Sequence, residues 1–353
     1  MAEPNDFSHA IPHGAGKLPL VTVDSWNIQI KDGDGFLGDR ASKGAFMRIA
    51  DDWRKRVRKF GDPLGEDTTD SIGRGGLETA LAEGSPEAAG LVLGAVEEFA
   101  QELATVVRRF LKTSEWKGTE KVVVGGGMRA SRLGELAIGR AEILLRADGI
   151  GIDLHPIGND PDEAGLMGAV HLAPAWIFAG HDAILAADIG GTNMRAGIVR
   201  FARVKGEARL KKVRVWKSEL WRHADDKPTR KKAVSRLVAM FEDLIAAAGR
   251  KKLRLAPFIG VACPGIILED GTIQSGGQNL PGNWEAKGFN LPQSLTDALP
   301  RIGDHDTTVV MHNDAVVQGL SELSAMAEVA RWGVLTIGTG LGNARFSAVP
   351  KAE

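Results

Sequence analysis

The stretch from Ile184 to Phe201 reads ILAADIGGTNMRAGIVRF and sets the fold of the chain. An apolar run, a glycine turn and a second apolar run predict two strands joined by a hairpin. This start of a βββαβαβα unit lies past the midpoint of a chain of 353 residues. The strands and helices predicted after the hairpin are 211–220 (β), 230–248 (α), 257–265 (β), 292–299 (α), 307–313 (β) and 314–330 (α).

A second βββαβαβα unit appears only when the end of the chain is read before its beginning. Residues 332–342 and 343–349 predict two strands, and 18–26 predicts the third. Because permuted chains are tolerated where termini lie at the surface, we predict a duplicated α/β fold in circularly permuted order. The elements that complete this second unit are 87–111 (α), 121–128 (β), 132–147 (α), 151–158 (β) and 162–173 (α).

Composition excludes several classes of protein. The formal net charge is −1 and charged residues make up 25%, so neither nucleic acid nor a membrane surface is indicated as a partner. The basic run 203–217 alternates with apolar residues and predicts the solvated face of a strand. The apolar segment 171–191 is interrupted by Pro174 and Asp182, which favours a buried strand over a membrane span. The single cysteine, Cys263, excludes an intrachain disulfide, and we expect a cytoplasmic enzyme.

The turn DIGGTN, residues 188–193, is suited to phosphate binding. Gly190 and Gly191 have no Cβ, so their backbone amides can approach a phosphate closely. Thr192 and Asn193 add side-chain donors. Asp188 is placed to hold a hydrated Mg²⁺ ion beside the phosphates. An ordinary glycine-rich hairpin is the alternative.

A second turn of this kind is IGTGLGN, residues 337–343, with Gly338, Thr339 and Gly340 at its centre. It lies between two predicted strands, whereas a Walker loop opens into a helix and needs a Lys-Ser/Thr pair. Two strand-turn-strand loops, one in each unit, predict two phosphate cradles that face each other across a cleft.

The stretch VVVGGGMRAS, residues 122–131, follows a strand and precedes a helix. Gly125, Gly127 and Ala130 fit the G-x-G-x-x-A pattern of dinucleotide-binding proteins. Glycines at this place also allow an adenosine to lie against the backbone, with Gly126 and Gly127 closest. The presence of two phosphate cradles favours the adenosine interpretation, and a dinucleotide-dependent enzyme stays open as an alternative.

Acid and amide side chains indicate a polar substrate. In HNDA, Asp314 begins a predicted helix, where an aspartate is often only a cap. At the junction of the two units it is also placed to accept a proton from an attacking hydroxyl. Asn313 beside it, and Asn279 and Asn283 in the loop 276–290, are suited to sugar hydroxyls, and Trp284 is expected to line the pocket.

These motifs resemble those of the bacterial ROK-type sugar kinases, which have the actin/hexokinase/Hsp70 fold. Residues 184–348 resemble the family's N-terminal portion closely, and 87–173 resemble its C-terminal portion more weakly. The resemblance implies a duplicated ribonuclease-H-like fold, the hexokinase or glucokinase reaction with ATP and Mg²⁺, and a homodimer. It implies Asp314 as the catalytic base. The implied sugar site is Asn279, Asn283, Asn313 and Asp314; the implied phosphate and adenosine contacts are Gly190, Gly191, Thr192, Gly338, Thr339, Gly340, Gly126 and Gly127.

The chain departs from this family in two places. The cysteine-rich zinc motif is absent, so no zinc is expected. The family's Glu…Gly-His element has no clear match, and only His9 and His13 are near the place where it belongs. A sensor of the same fold that binds a sugar or nucleotide without turnover is therefore an alternative to the kinase. The sugar, and ATP against polyphosphate as donor, stay open.

The predicted domains are two lobes of unequal size. The larger combines 1–158 with 314–353 and holds the second unit, with the adenosine turn and the second phosphate turn. The smaller covers 159–313 and holds the first phosphate turn, the sugar loop and the helix at 162–173. The glycine- and aspartate-rich stretch 27–86 is expected to form loops and short helices after the third strand of the second unit.

Overall fold

The computed structural model describes residues 11–129, 131–202 and 210–349. The helices are α1 (Lys43–Val57), α2 (Thr69–Glu83), α3 (Pro86–Leu111), α4 (Arg132–Ala147), α5 (Pro161–Gly168), α6 (His223–Asp226), α7 (Arg230–Arg250), α8 (Leu291–Ala298) and α9 (Asp314–Leu320). The strands are β1 (Val21–Trp26), β2 (Lys31–Asp32), β3 (Gly35–Phe36), β4 (Lys121–Gly125), β5 (Asp153–Pro156), β6 (Ala183–Ile189), β7 (Met194–Ala202), β8 (Lys211–Trp221), β9 (Leu255–Cys263), β10 (Ile266–Ile267), β11 (Ile273–Ser275), β12 (Arg301–Ile302), β13 (His305–Asp306), β14 (Thr308–Asn313), β15 (Arg331–Ile337) and β16 (Leu341–Ala348).

The first large sheet has the order β14-β9-β6-β7-β8. Strands β6, β7 and β8 form an antiparallel meander, while β9 is parallel to β6 and β14 is parallel to β9. If these five strands are numbered by their order in the chain, from β6 as first to β14 as fifth, their order across the sheet is 5-4-1-2-3. This arrangement gives the βββαβαβα unit that the sequence predicts from residue 184 onward.

The second large sheet repeats this arrangement with a different chain order. Its order is β1-β16-β15-β4-β5, with β15 parallel to β4 and β4 parallel to β5. Strand β1 pairs antiparallel with β16, and Val23 lies opposite Phe346. The third strand of this unit thus precedes the first two in the chain. The fold is a duplicated ribonuclease-H-like α/β fold in circularly permuted order.

Both faces of β6 are covered, which explains why all seven of its residues are buried. Helix α7 contributes the apolar stripe predicted from its 3.6-residue period, including Leu237, Met240 and Phe241, to one core. Helix α5 approaches the strands through small residues. A Cβ on Gly260 of β9 would lie 2.8 Å from the Cβ of Ala169, just after α5, so glycine is needed for this close packing.

Helix α3 organises the other core. Ser85 caps it by accepting a hydrogen bond from the Ala88 N–H at 3.2 Å, and Pro86 occupies its first turn, as helix N-termini prefer. Its predicted stripe, from Val92 to Phe110, is buried against β4, β15 and α4. Phe99 meets Phe46 of α1 edge to face, with the ring centroids 5.6 Å apart.

Contacts divide the chain into two compact units. Unit 1 comprises Met1–Asn27, Asp162–Ala330 and Ala344–Glu353, and unit 2 comprises Ile28–Pro161 and Arg331–Asn343. These bounds differ from the lobes predicted from the sequence. Helix α9 packs on β9 and β14, so it belongs with the first sheet. Residues 13–15 hydrogen bond to Met311 and His312 and therefore also belong to unit 1.

Several boundaries differ from the prediction. The helix expected over 314–330 ends as an α-helix at Leu320, since i→i+3 hydrogen bonds such as that from Leu323 to Leu320 take over. The helix expected over 162–173 ends at Gly168 and continues as a 3₁₀ turn. The strand part of the basic run is confirmed, with the lysines and arginines of β8 exposed, whereas 203–209 lie outside the described residues. Within the described ranges, no helix has the length and apolar character that crossing a membrane requires.

Candidate active site in unit 1

Asp188 lies near the carboxyl end of β6. It is opposite Arg195 of β7 in the sheet register, and Arg195 forms an ion pair with Asp162 of α5. Helix α5 approaches so closely that a Cβ on Gly165 would lie 2.5 Å from the Asp188 carboxyl carbon. Burial raises the pKa of Asp188 to about 6, although the Arg195 charge opposes the rise. The site thus holds a carboxylate in a closely packed, poorly solvated place.

The turn after Asp188 is held from two sides. The Gly190 N–H donates to the Asn193 carbonyl at 2.8 Å and closes the hairpin. The buried ring of His223 donates from Nε2 to the Gly190 carbonyl at 2.8 Å, and this bond fixes its tautomer. Gly191 lies against the sugar loop, since a Cβ there would be 2.9 Å from the Cβ of Asn279. The predicted phosphate turn and the predicted sugar loop are therefore neighbours.

Asp314 is the first residue of α9, directly after β14. The cap is the preceding residue, Asn313, and Asp314 Oδ1 accepts a hydrogen bond from the Ala315 N–H at 2.9 Å. Burial and the nearby charge of Asp188 raise the pKa of Asp314 to about 7. The two carboxylates lie at the carboxyl edge of parallel strands, where α/β sheets bind their ligands.

Asn313 has a structural role in addition to the one predicted. Its Oδ1 accepts from the N–H groups of Ala315 and Val316, and its Nδ2 donates to the Gly265 carbonyl at 3.0 Å. The side chain is 2% exposed. It fixes the start of α9, and with it the direction of Asp314.

His312 was not foreseen from the sequence. Its Nδ1 accepts from the Asn313 N–H at 2.7 Å and its Nε2 donates to the Ala15 carbonyl at 3.1 Å, so the ring is neutral with the proton on Nε2. Burial lowers its pKa to about 4. Trp26 meets the ring edge to face with the centroids 5.3 Å apart. This histidine ties the segment before β1 to the strand that carries Asp314.

Of the two histidines near the N-terminus, only His13 lies among the described residues. His13 accepts a hydrogen bond at Nδ1 from the Met311 N–H at 3.1 Å, and burial lowers its pKa. Together with the bond from the Gly14 N–H to the Met311 carbonyl at 3.0 Å, this bond attaches the segment around His13 to β14. His9 lies outside the described residues.

The sugar loop is only partly arranged as predicted. Asn279 is exposed beside Gly191, at the site. Asn283 is also exposed, and its Oδ1 accepts from the Glu285 N–H at 3.0 Å. The prediction that Trp284 lines the pocket is wrong, because its ring is 1% exposed and packs in the core against Phe289. Turn composition around a tryptophan does not reveal which way its ring points.

The remaining predicted phosphate and adenosine residues lie in unit 2. The Gly338 N–H donates to the Gly340 carbonyl at 2.9 Å, and Thr339 at the tip is exposed. Gly126 has a φ of +83°, and a Cβ there would lie 2.5 Å from the Ile337 carbonyl oxygen. The adenosine turn and the second phosphate turn are therefore packed together within unit 2. Ala130 of the G-x-G-x-x-A pattern is outside the described residues.

The donor groups around Asp188 suit a magnesium ion that is bound with phosphates. Mg²⁺ commonly takes one or two carboxylates together with phosphate oxygens and water. The described residues contain no group of three or more histidine, cysteine or acidic side chains able to hold a metal on their own. Asp188 and Asp314 are carboxylates of the type that Mg²⁺ takes together with phosphate oxygens and water.

Among known proteins, the chain is similar to solved structures of proposed sugar kinases and of an exopolyphosphatase. No family model and no curated protein matches the chain. Among solved structures it is similar to a Listeria monocytogenes protein proposed to be an N-acetylmannosamine kinase, with 25% identity, a TM-score of 0.31 and coverage of 47% of this chain and 49% of that one. It is also similar to a proposed sugar kinase from Cytophaga hutchinsonii, with 17% identity, a TM-score of 0.27 and coverage of 48% of this chain and 50% of that one.

An exopolyphosphatase from the same Cytophaga species is also similar, with 15% identity, a TM-score of 0.23 and coverage of 55% of each chain. The chain therefore matches about half the length of these proteins. The fold assignment rests on the strand order of the two sheets.

Proposed function

We propose that this protein transfers the γ-phosphoryl group of ATP to a hydroxyl group of a hexose, with Asp314 as general base. The observation that carries the proposal is the pair Asp188 and Asp314. They lie at the carboxyl edge of parallel strands, beside a glycine turn, and the pKa of Asp314 is raised to about 7. General bases work best when their pKa is near the operating pH.

The transfer needs placement more than covalent help from the protein. The hexose oxygen attacks the γ-phosphorus, the bond to the β-γ bridging oxygen breaks, and the hydroxyl proton passes to Asp314. Asn279 is exposed beside Gly191 and is suited to hold a second hydroxyl. Asn313 keeps the base in place through the helix cap, and its Nδ2 has a second hydrogen for the sugar.

The phosphates are assigned to the two glycine turns. In unit 1 the turn 190–193 presents backbone amides beside Asp188, which would hold Mg²⁺ through water. When bound, that ion neutralises phosphate charge. In unit 2, Thr339 and the glycines at 338 and 340 are assigned to phosphates, and Gly126 and Gly127 to adenosine.

A screen of hexoses and their N-acetylamino forms with Mg·ATP, measured by coupled release of ADP, tests this function. Each reaction is paired with one that lacks the sugar, so that ATP hydrolysis is subtracted. Sugar-dependent turnover supports the kinase. Saturable sugar binding without turnover for any sugar contradicts it and supports the sensor.

A further inference from the structure

Unit 2 contains a cavity of about 690 Å³ that includes Thr339 of the second phosphate turn. Its wall is formed mainly by the N-terminal half of α1 and the start of α2. The lining residues are Lys43, Gly44, Met47, Arg48, Asp51, Thr68, Thr69, Asp70 and Thr339.

One cation of this cavity, Lys43, lies at the end of its helix where a cation is unfavourable. Lys43 is the first residue of α1, and the first turn has no acidic residue. Because the N-terminus of a helix carries partial positive charge, a lysine there is unfavourable and an anion favourable. A local rule broken in this way is expected where a ligand compensates.

Lys43 and Arg48 differ from two of the other three cations of α1, which form ion pairs. Arg54 and Lys55 form ion pairs with Asp62 and Asp51. Within 11–129, 131–202 and 210–349, neither Lys43 nor Arg48 has a carboxylate within 4.0 Å, and both side chains are exposed. Within the described part of the chain, two cations thus line the cavity side of α1 without an ion pair, and the only side-chain bond given for them is from Arg48 to the Asp39 carbonyl at 3.4 Å.

The cavity is fixed to the phosphate turn by a backbone hydrogen bond. The Lys43 N–H donates to the Gly338 carbonyl at 3.0 Å. This bond holds the start of α1 beside Gly338 and Thr339, so a phosphate in the turn lies within reach of the α1 cations.

We propose that Lys43 and Arg48 bind a phosphate group of the phosphoryl donor, as a cationic contact additional to the glycine turn. The proposal rests on the proposed function for the identity of the phosphate as part of the donor. The cavity also contains Asp51 and Asp70, whose charges oppose phosphate binding, although Asp51 is ion-paired with Lys55 at 2.8 Å. Donor affinity is therefore set by the balance between these side chains.

Calorimetric titration of the full chain with Mg·ADP, and separately with inorganic tripolyphosphate, tests the proposal. The double substitution Lys43→Gln and Arg48→Gln is expected to weaken binding at least tenfold and to reduce its dependence on salt. Arg56→Gln is the matched control. It is on the same helix, outside the cavity and stacked on Trp53 at 5.0 Å, and should leave binding unchanged.

The two probes distinguish the donors. Weakening with Mg·ADP alone assigns the contact to a nucleotide, and weakening with tripolyphosphate alone assigns it to polyphosphate. Asp70→Asn should tighten binding of whichever probe is affected. A double variant that melts like the wild type and binds both probes equally well would overturn the proposal. Because no sugar is present, this outcome is separate from failure of the hexose screen.

Discussion

Replacing Asp314 with Asn separates the catalytic from the structural contribution of this residue. An asparagine keeps an oxygen that can accept from the Ala315 N–H, so the geometry at the start of α9 is retained. It removes the negative charge next to Asp188 and the ability to take a proton. We expect a slower but more stable protein.

The pKa of Asp314 gives the size and sign of the stability effect. The pKa rises from 3.8 to about 7 on folding, and each pKa unit corresponds to about 1.4 kcal/mol. The folded state therefore binds the proton more tightly than the unfolded state, and stability falls as the pH rises through this interval. The ceiling is about 4 kcal/mol, and partial solvation of the half-buried carboxyl reduces the expected effect to about 2 kcal/mol.

Two measurements check this prediction. Steady-state kinetics should show a loss of about 10²–10⁴ in kcat with the hexose found by the screen. Urea unfolding should show that the variant gains stability over the wild type as the pH rises from 4 to 7, with a constant difference above pH 8. Retention of kcat within threefold would refute Asp314 as the base. A stability difference that is independent of pH would refute the raised pKa.

Two further substitutions have defined outcomes. Asp188→Asn removes a charge that raises the pKa of Asp314, so the acidic limb of residual kcat/KM against pH should move to lower pH; an unmoved limb would contradict the coupling. Arg54→Ala leaves the buried Asp62 carboxylate without its partner at 2.9 Å and should cost about 3–5 kcal/mol in urea unfolding. The control Arg56→Ala removes only a contact with a ring and should cost less than about 1 kcal/mol; equal losses for the two arginines would show that burial of the pair is not what matters.

Elements that depend on neighbouring residues were predicted well. The hairpin β6–β7 has an apolar run on each side of a glycine turn, and its strands begin and end within a few residues of the expected positions. The strand predicted over 18–26 is also present, as β1. The pairing of β1 with β16 could be predicted only because the order of elements is the same in the two βββαβαβα units. Repetition within the sequence supplied the long-range information.

The candidate site depends in part on contacts that local sequence patterns do not mark. Asp188 and Asp314 each follow an apolar strand, so a position at the sheet edge could be predicted for both. The bond from His312 to Ala15 joins residues 297 positions apart, and no local pattern marks it. Gly165 lies in the helix predicted over 162–173, but its role depends on the approach of α5 to Asp188. Such contacts are decided by tertiary packing.

The pairing of β1 with β16 has a consequence for synthesis on the ribosome. Asp24 and Arg345, ion-paired across these strands, are 321 positions apart. Residues 21–26 cannot pair with β16 until residues 341–348 have been translated. Since pairing between distant segments is slow and leaves strand edges exposed, the segment 21–26 is open to chaperones and to wrong association during that interval.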